Sequence, residues 1–174
     1  MSVRPSELTK ADFLTCFADV FEHSPWIAQQ VWESGLDSSH DSVHGLHRRF
    51  SDVIHQASHE QKLELLLAHP QLAVGVAGPT PLTAASCAEQ KGAGLDQCSA
   101  PEFAEFQHLN QAYMAKFGFP FIMAVKGADR RAILQAFKSR LAHASDQEFQ
   151  TAIEQVIRIG FLRIESKLPA AGEA

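Results

Sequence analysis

The chain has 174 residues, 45% of them hydrophobic and 20% charged, and its 15 Lys and Arg against 20 Asp and Glu leave a formal charge of −5. That length suits one domain with its own core and excludes a catalytic domain joined to a separate nucleotide-binding one. The apolar share excludes disorder as the main state, and the absence of a basic run excludes the electrostatic footprint of nucleic-acid or anionic-membrane binding, leaving small molecules or proteins as partners.

The three cysteines, Cys16, Cys87 and Cys98, cannot all pair and form no CxxC, which argues against a disulfide framework and a thiolate zinc site. The opening MSVRPSELTK has no apolar signal core, and no stretch approaches the ~18 apolar residues of a membrane span, so a cytosolic chain is expected.

In chain order, Thr9 caps a helix with the apolar stripe Phe13, Leu14, Phe17, Val20 and Phe21. Ser24-Pro25 reads as an N-cap with proline at the first helical position, and Gly35 as the left-handed stop after Val31. Val43, Leu46, Phe50, Val53, Ile54 and Ala57 predict a helix from about His40 to Ala57, after which Ser58 and Gln61 form a capping box for a helix ending near His69. Residues 71–81 read as an ordered loop within one domain. Thr83 opens a short helix, ASCAEQKGAG. Ser99-Pro101 opens the next, with Phe103, Phe106, Leu109, Tyr113 and Phe117 on one face before Gly118. GFPFIMAV is extended, with a short strand open. Asp129 caps a helix bearing Ile133, Leu134, Phe137 and Leu141, and Ser145 with Glu148 reads as a second capping box before the long final helix. The tail PAAGEA is expected to fray. Without alternating βαβ patterning, the class is all-α, a single compact domain of about eight helices.

No cofactor signature is present: neither GxGxxG, P-loop, HExxH, GxSxG nor EF-hand loop occurs, so the chemistry is expected from the chain's own side chains. His69, at a helix end and fixed by Pro70, suits acid–base work near neutral pH, with a helix cap as the alternative. Ser86, Glu89 and Gln90 fall at i, i+3 and i+4, so a hydroxyl, a carboxylate and an amide share one face suited to a heterocycle rich in N–H and C=O groups; an exposed polar face is the alternative. Arg163 continues the apolar stripe of Phe149, Ala152, Val156 and Gly160 on the last helix while Arg158 does not, and a buried guanidinium needs an anion, either a protein carboxylate or a ligand. The extended KFGFPFIMAV offers backbone groups to a bound ring or a strand partner. His40, His44 and His47 fall at i, i+4 and i+7, a spacing open to zinc or nickel, but no acidic or Cys ligand recurs with them and no metal is expected. Cys87, with no base beside it, reads as a small packing residue. The opposing reading is a non-catalytic helical module, either metal-binding through the His40 face or dimerising with a partner.

HSPWIAQQVW, AHPQLA, the S-x-x-E-Q segment followed by GAGL, LNQAYMAKFGFPFIMAVKG and the closing RL…E…FLRIESKL occur in this order over about residues 5–168. Together they resemble the OHCU decarboxylase family, cofactor-free enzymes that convert 2-oxo-4-hydroxy-4-carboxy-5-ureidoimidazoline into (S)-allantoin and CO2. The resemblance implies His69 and Glu89 as catalytic residues. It implies substrate contacts from Pro70, from the stretch Ser86, Cys87, Ala88, Glu89 and Gln90, from Phe121, Ile122, Met123, Ala124 and Val125, and from Arg163. It also implies an all-α homodimer acting on a small molecule. Within enzymes, another ureide or ring-opening activity is the nearest alternative. Two departures stand out: Ala73 occupies the position where the family's HP-x-L is usually followed by glycine, and the ending GEA lacks the peroxisomal signal of eukaryotic members, so a bacterial cytoplasmic enzyme is expected.

Overall fold

A computed structural model describes residues 3–74 and 81–168. Residues 75–80 of the expected 71–81 loop and the expected frayed tail lie outside the described residues. The all-α expectation is borne out. The helices are α1 (Lys10–Phe17), α2 (Pro25–Glu33), α3 (Val43–Gln56), α4 (His59–Leu67), α5 (Ala84–Gly92), α6 (Ala100–Phe117), α7 (Arg130–Leu141) and α8 (Ser145–Lys167). No strand occurs among the described residues, so GFPFIMAV is irregular backbone. No described helix is long and apolar enough to cross a membrane. The chain clusters into two units, one from residues 1–65 with 157–174 and the other from 66–156.

In the first unit, Thr9 Oγ1 accepts the Asp12 N–H at 3.2 Å and starts α1, whose Phe13 and Phe17 are buried with Phe21 and Phe50 in one aromatic cluster. Each such ring stabilises the fold by about 1.5–3 kcal/mol through the apolar area it removes from water. Ser24 stands at the N-cap of α2 as expected but makes no cap bond: its hydroxyl donates to the Glu22 carbonyl at 2.9 Å. The helix expected from His40 begins only at Val43, because Asp37 caps a separate 3-10 turn over Ser38–Asp41 and Ser42 Oγ accepts the Gly45 N–H. His40 thereby belongs to the 3-10 turn and not to the helix that carries His44 and His47. The Ser58–Gln61 capping box forms reciprocally, at 3.0 and 3.1 Å. From α8, Gly160 meets Phe21 so closely that an added Cβ would lie 2.4 Å from the ring tip.

In the second unit, Ser99 and Glu102 form the capping box of α6, and Gly118 at φ +78° ends it in the left-handed region that glycine adopts at little cost. Phe106, Leu109 and Tyr113 are buried as expected, whereas Phe103, in the first turn, is 44% exposed. Asp129 Oδ1 accepts the Ala132 N–H at 2.8 Å and starts α7. Phe121 stacks on Phe137 with centroids 3.9 Å apart, and Tyr113 meets both edge-on. The capping box expected from Ser145 and Glu148 does not form. Ser145 already lies inside α8, and the fully buried Glu148 carboxylate accepts from Tyr113 Oη, from Arg140 and from His143 Nδ1. A carboxylate taken out of water needs such partners more than a helix end needs a cap.

Candidate active site

Within the second unit, α4 stops at Leu67 because Pro70 disfavours helical backbone in the residue before it. His69 follows, its N–H donating to the Leu66 carbonyl at 3.2 Å, and is only 4% exposed. Pro70 is buried beside it. A buried imidazole beside a proline is a candidate acid–base group.

On α5, Thr83 caps the helix and the shared face forms as the spacing predicts: Ser86 and Gln90 are buried and Glu89 is half-buried. Cys87 and Ala88 are exposed, so the packing role expected for Cys87 is not observed; one residue beyond Ser86, it is rotated off the buried face. Gln90 ties this helix to the chain after His69-Pro70. Its Nε2 donates to the Gln71 carbonyl at 3.2 Å, and its Oε1 accepts the Ala73 N–H at 3.1 Å. Asn110 on α6 completes the support, donating to the Leu72 carbonyl at 2.9 Å. Sequence reasoning missed Asn110, although a buried amide at i+4 from Phe106 in an apolar stripe is a visible signal.

The segment expected to offer backbone contacts is gripped by side chains. Arg140 Nη1 donates to the Ile122 carbonyl at 2.7 Å, and Gln155 Oε1 accepts the Ala124 N–H at 3.0 Å. The Val125 carbonyl accepts the Ala128 N–H at 2.9 Å. Phe121, Ile122 and Val125 are buried, while Met123 and Ala124 are half-buried. Burial and the hydrogen bond to Glu148 push the Tyr113 phenol well above its ordinary range, so it remains a donor to that carboxylate. Arg140, Glu148 and Gln155 were not singled out from the sequence: two bind backbone of a distant segment, and Glu148 was read as a cap.

In the first unit, Arg163 is on the core side of α8 as expected and 6% exposed, with Arg158 outside. Its Nη2 pairs with Glu22 Oε1 at 2.8 Å and its Nη1 donates to the Val20 carbonyl at 3.1 Å. Of the two anions left open by the sequence, the structure thus displays the protein carboxylate. His47 Nε2 lies 3.0 Å from the Ile157 carbonyl, and His40 Nδ1 bonds within its own turn to Asp37. Among the described residues no group of three or more His, Cys, Asp or Glu is placed to hold a metal.

The model of the OHCU decarboxylase family matches residues 6–165. The 2-oxo-4-hydroxy-4-carboxy-5-ureidoimidazoline decarboxylase of Halalkalicoccus jeotgali is 40% identical over 91% of the chain and 88% of its own length. That of Haloferax volcanii is 38% identical over 93% and 92%. Among solved structures, an (S)-allantoin synthase is similar with a TM-score of 0.73 and 28% identity over 94% of the chain; the chain spans about half of that protein, 52%. With a family match over nearly its whole length and relatives of this identity, the chain belongs to the OHCU decarboxylase family.

Proposed function

We propose that the protein is a carboxy-lyase that converts 2-oxo-4-hydroxy-4-carboxy-5-ureidoimidazoline into (S)-allantoin and CO2 in urate degradation, using no cofactor. Family membership across residues 6–165 carries this reading. The buried His69-Pro70 turn, secured by Gln90 and Asn110, gives it a physical basis.

Breaking the bond to the carboxylate leaves an electron pair on the ring carbon, for which many decarboxylases recruit a thiamine or pyridoxal sink. This substrate carries its own: the conjugated C=N accepts the pair as CO2 leaves. The protein then needs to orient the carboxylate, stabilise charge spreading into the ring and deliver a proton to one face of the ureido-bearing carbon of that C=N, which sets the S configuration as the hydroxyl-bearing carbon becomes a carbonyl. His69 is assigned as the acid–base group, with Glu89 orienting it or the substrate hydroxyl. Ser86, Gln90 and the backbone of 121–125 hold the heterocycle. Arg163 is assigned to the substrate's anionic group on the strength of the family resemblance. The same resemblance supports a homodimer.

The test supplies substrate freshly generated from urate and follows its disappearance. Acceleration over the spontaneous decay, together with CO2 release, supports the reading; a purified, folded chain that leaves the decay rate unchanged refutes it.

A further inference from the structure

Two side chains on different helices bind the 121–125 segment on either side of Met123. Arg140 of α7 donates to the Ile122 carbonyl at 2.7 Å while its guanidinium lies over the Phe121 ring, 4.4 Å from the centroid. Gln155 of α8 accepts the Ala124 N–H at 3.0 Å. Arg140 is itself fixed by Glu148, whose Oε1 accepts from its Nε and Nη2 at 2.8 and 2.6 Å.

Peptide planarity turns these contacts into a statement about the residue between them. A trans peptide points its C=O and its following N–H in opposite directions. Binding the Ile122 carbonyl to Arg140 therefore aims the Met123 N–H away from Arg140, and binding the Ala124 N–H to Gln155 aims the Met123 C=O away from Gln155. Among the described residues neither Met123 group has a hydrogen-bond partner, and Met123 is half-buried, following the buried Ile122. An N–H and a C=O on one residue, held by side chains, match the alternating C=O and N–H edge of a cyclic amide or ureide.

We infer that Arg140 and Gln155 are positioning residues, which aim the N–H and C=O of Met123 at the amide edge of the substrate. The inference rests on the decarboxylase reading and adds to it two residues that act through Met123 without touching substrate.

The experiment compares Gln155→Leu, and the double variant Arg140→Met with Glu148→Gln, against wild type. The double variant leaves no buried carboxylate unpaired, and Gln155→Leu changes a half-buried helical position, so it decides alone if the double variant melts early. Each is assayed for kcat and KM on freshly generated substrate, and the Met123 and Ala124 amide resonances are followed by NMR while (S)-allantoin is added. The expected result is a KM raised about tenfold with kcat changed less than about threefold, the pattern of lost uniform binding. The Met123 amide should respond to (S)-allantoin in wild type and no longer do so in the variants. A merely structural role would lower melting temperature and active fraction while leaving KM in place. Folded variants with KM and Met123 response like wild type overturn the inference while the decarboxylase reading stands. A wild type that neither consumes the substrate nor binds (S)-allantoin overturns both.

Discussion

Gln90 Oε1 accepts the Ala73 N–H at 3.1 Å and so secures a residue whose φ of +56° lies in the left-handed region. That conformation costs a residue with a Cβ roughly 1–2 kcal/mol and costs glycine little. This chain meets the cost of alanine there with hydrogen bonds from Gln90 to Ala73 and from Asn110 to the neighbouring Leu72. Ala73→Gly is expected to raise stability by up to about 1 kcal/mol, the relief of strain exceeding the entropy gained by the unfolded chain. Gln90→Leu strands the Ala73 N–H and is expected to cost about 1–3 kcal/mol. Thermal melting of the two variants checks both signs.

His69→Ala is expected to lower kcat by about 10²–10⁴-fold, the usual contribution of a positioned acid–base group. Circular dichroism should show unchanged helix content, because the bonds to Gln71, Leu72 and Ala73 come from Gln90 and Asn110. Turnover at the wild-type rate would remove His69 from the mechanism.

Gly160→Ala places a methyl group 2.4 Å from the Phe21 ring tip, and Phe21 is 2% exposed with little room to yield. Overpacking of this kind costs typically about 1–3 kcal/mol. Urea denaturation should show a lower midpoint with an unchanged slope.

Tyr113 is the only tyrosine, so tyrosinate absorbance reports on this one phenol. Its folded pKa is raised by burial first and then by the bond to Glu148. Above the ordinary phenol value of about 10 the unfolded chain loses a proton that the folded chain keeps. Stability from this group is therefore full below that pH and falls as pH rises, by about 1.4 kcal/mol per unit. Tyrosinate absorbance should appear together with unfolding at alkaline pH; a separate titration near pH 10 in the folded protein would contradict this.

Local signals made most of the fold legible. Thr9, Ser58 with Gln61, Ser99 with Glu102, and Asp129 all cap where the sequence places them, because a cap is settled within three residues. Ser145 and Glu148 show the same spacing and fail, because Arg140, Tyr113 and His143 claim the carboxylate from elsewhere in the fold. The site divides in the same way. The helical face of Ser86, Glu89 and Gln90 was readable from spacing, whereas Asn110, Arg140 and Gln155 bind backbone groups far along the chain, where no spacing rule reaches.

The central claim is that the protein sets the handedness of the product. The most direct measurement generates the substrate from urate in the presence of the chain and records the circular dichroism of the allantoin formed. The account predicts a signal of (S)-allantoin alone; racemic allantoin, the product of spontaneous decay, would contradict it.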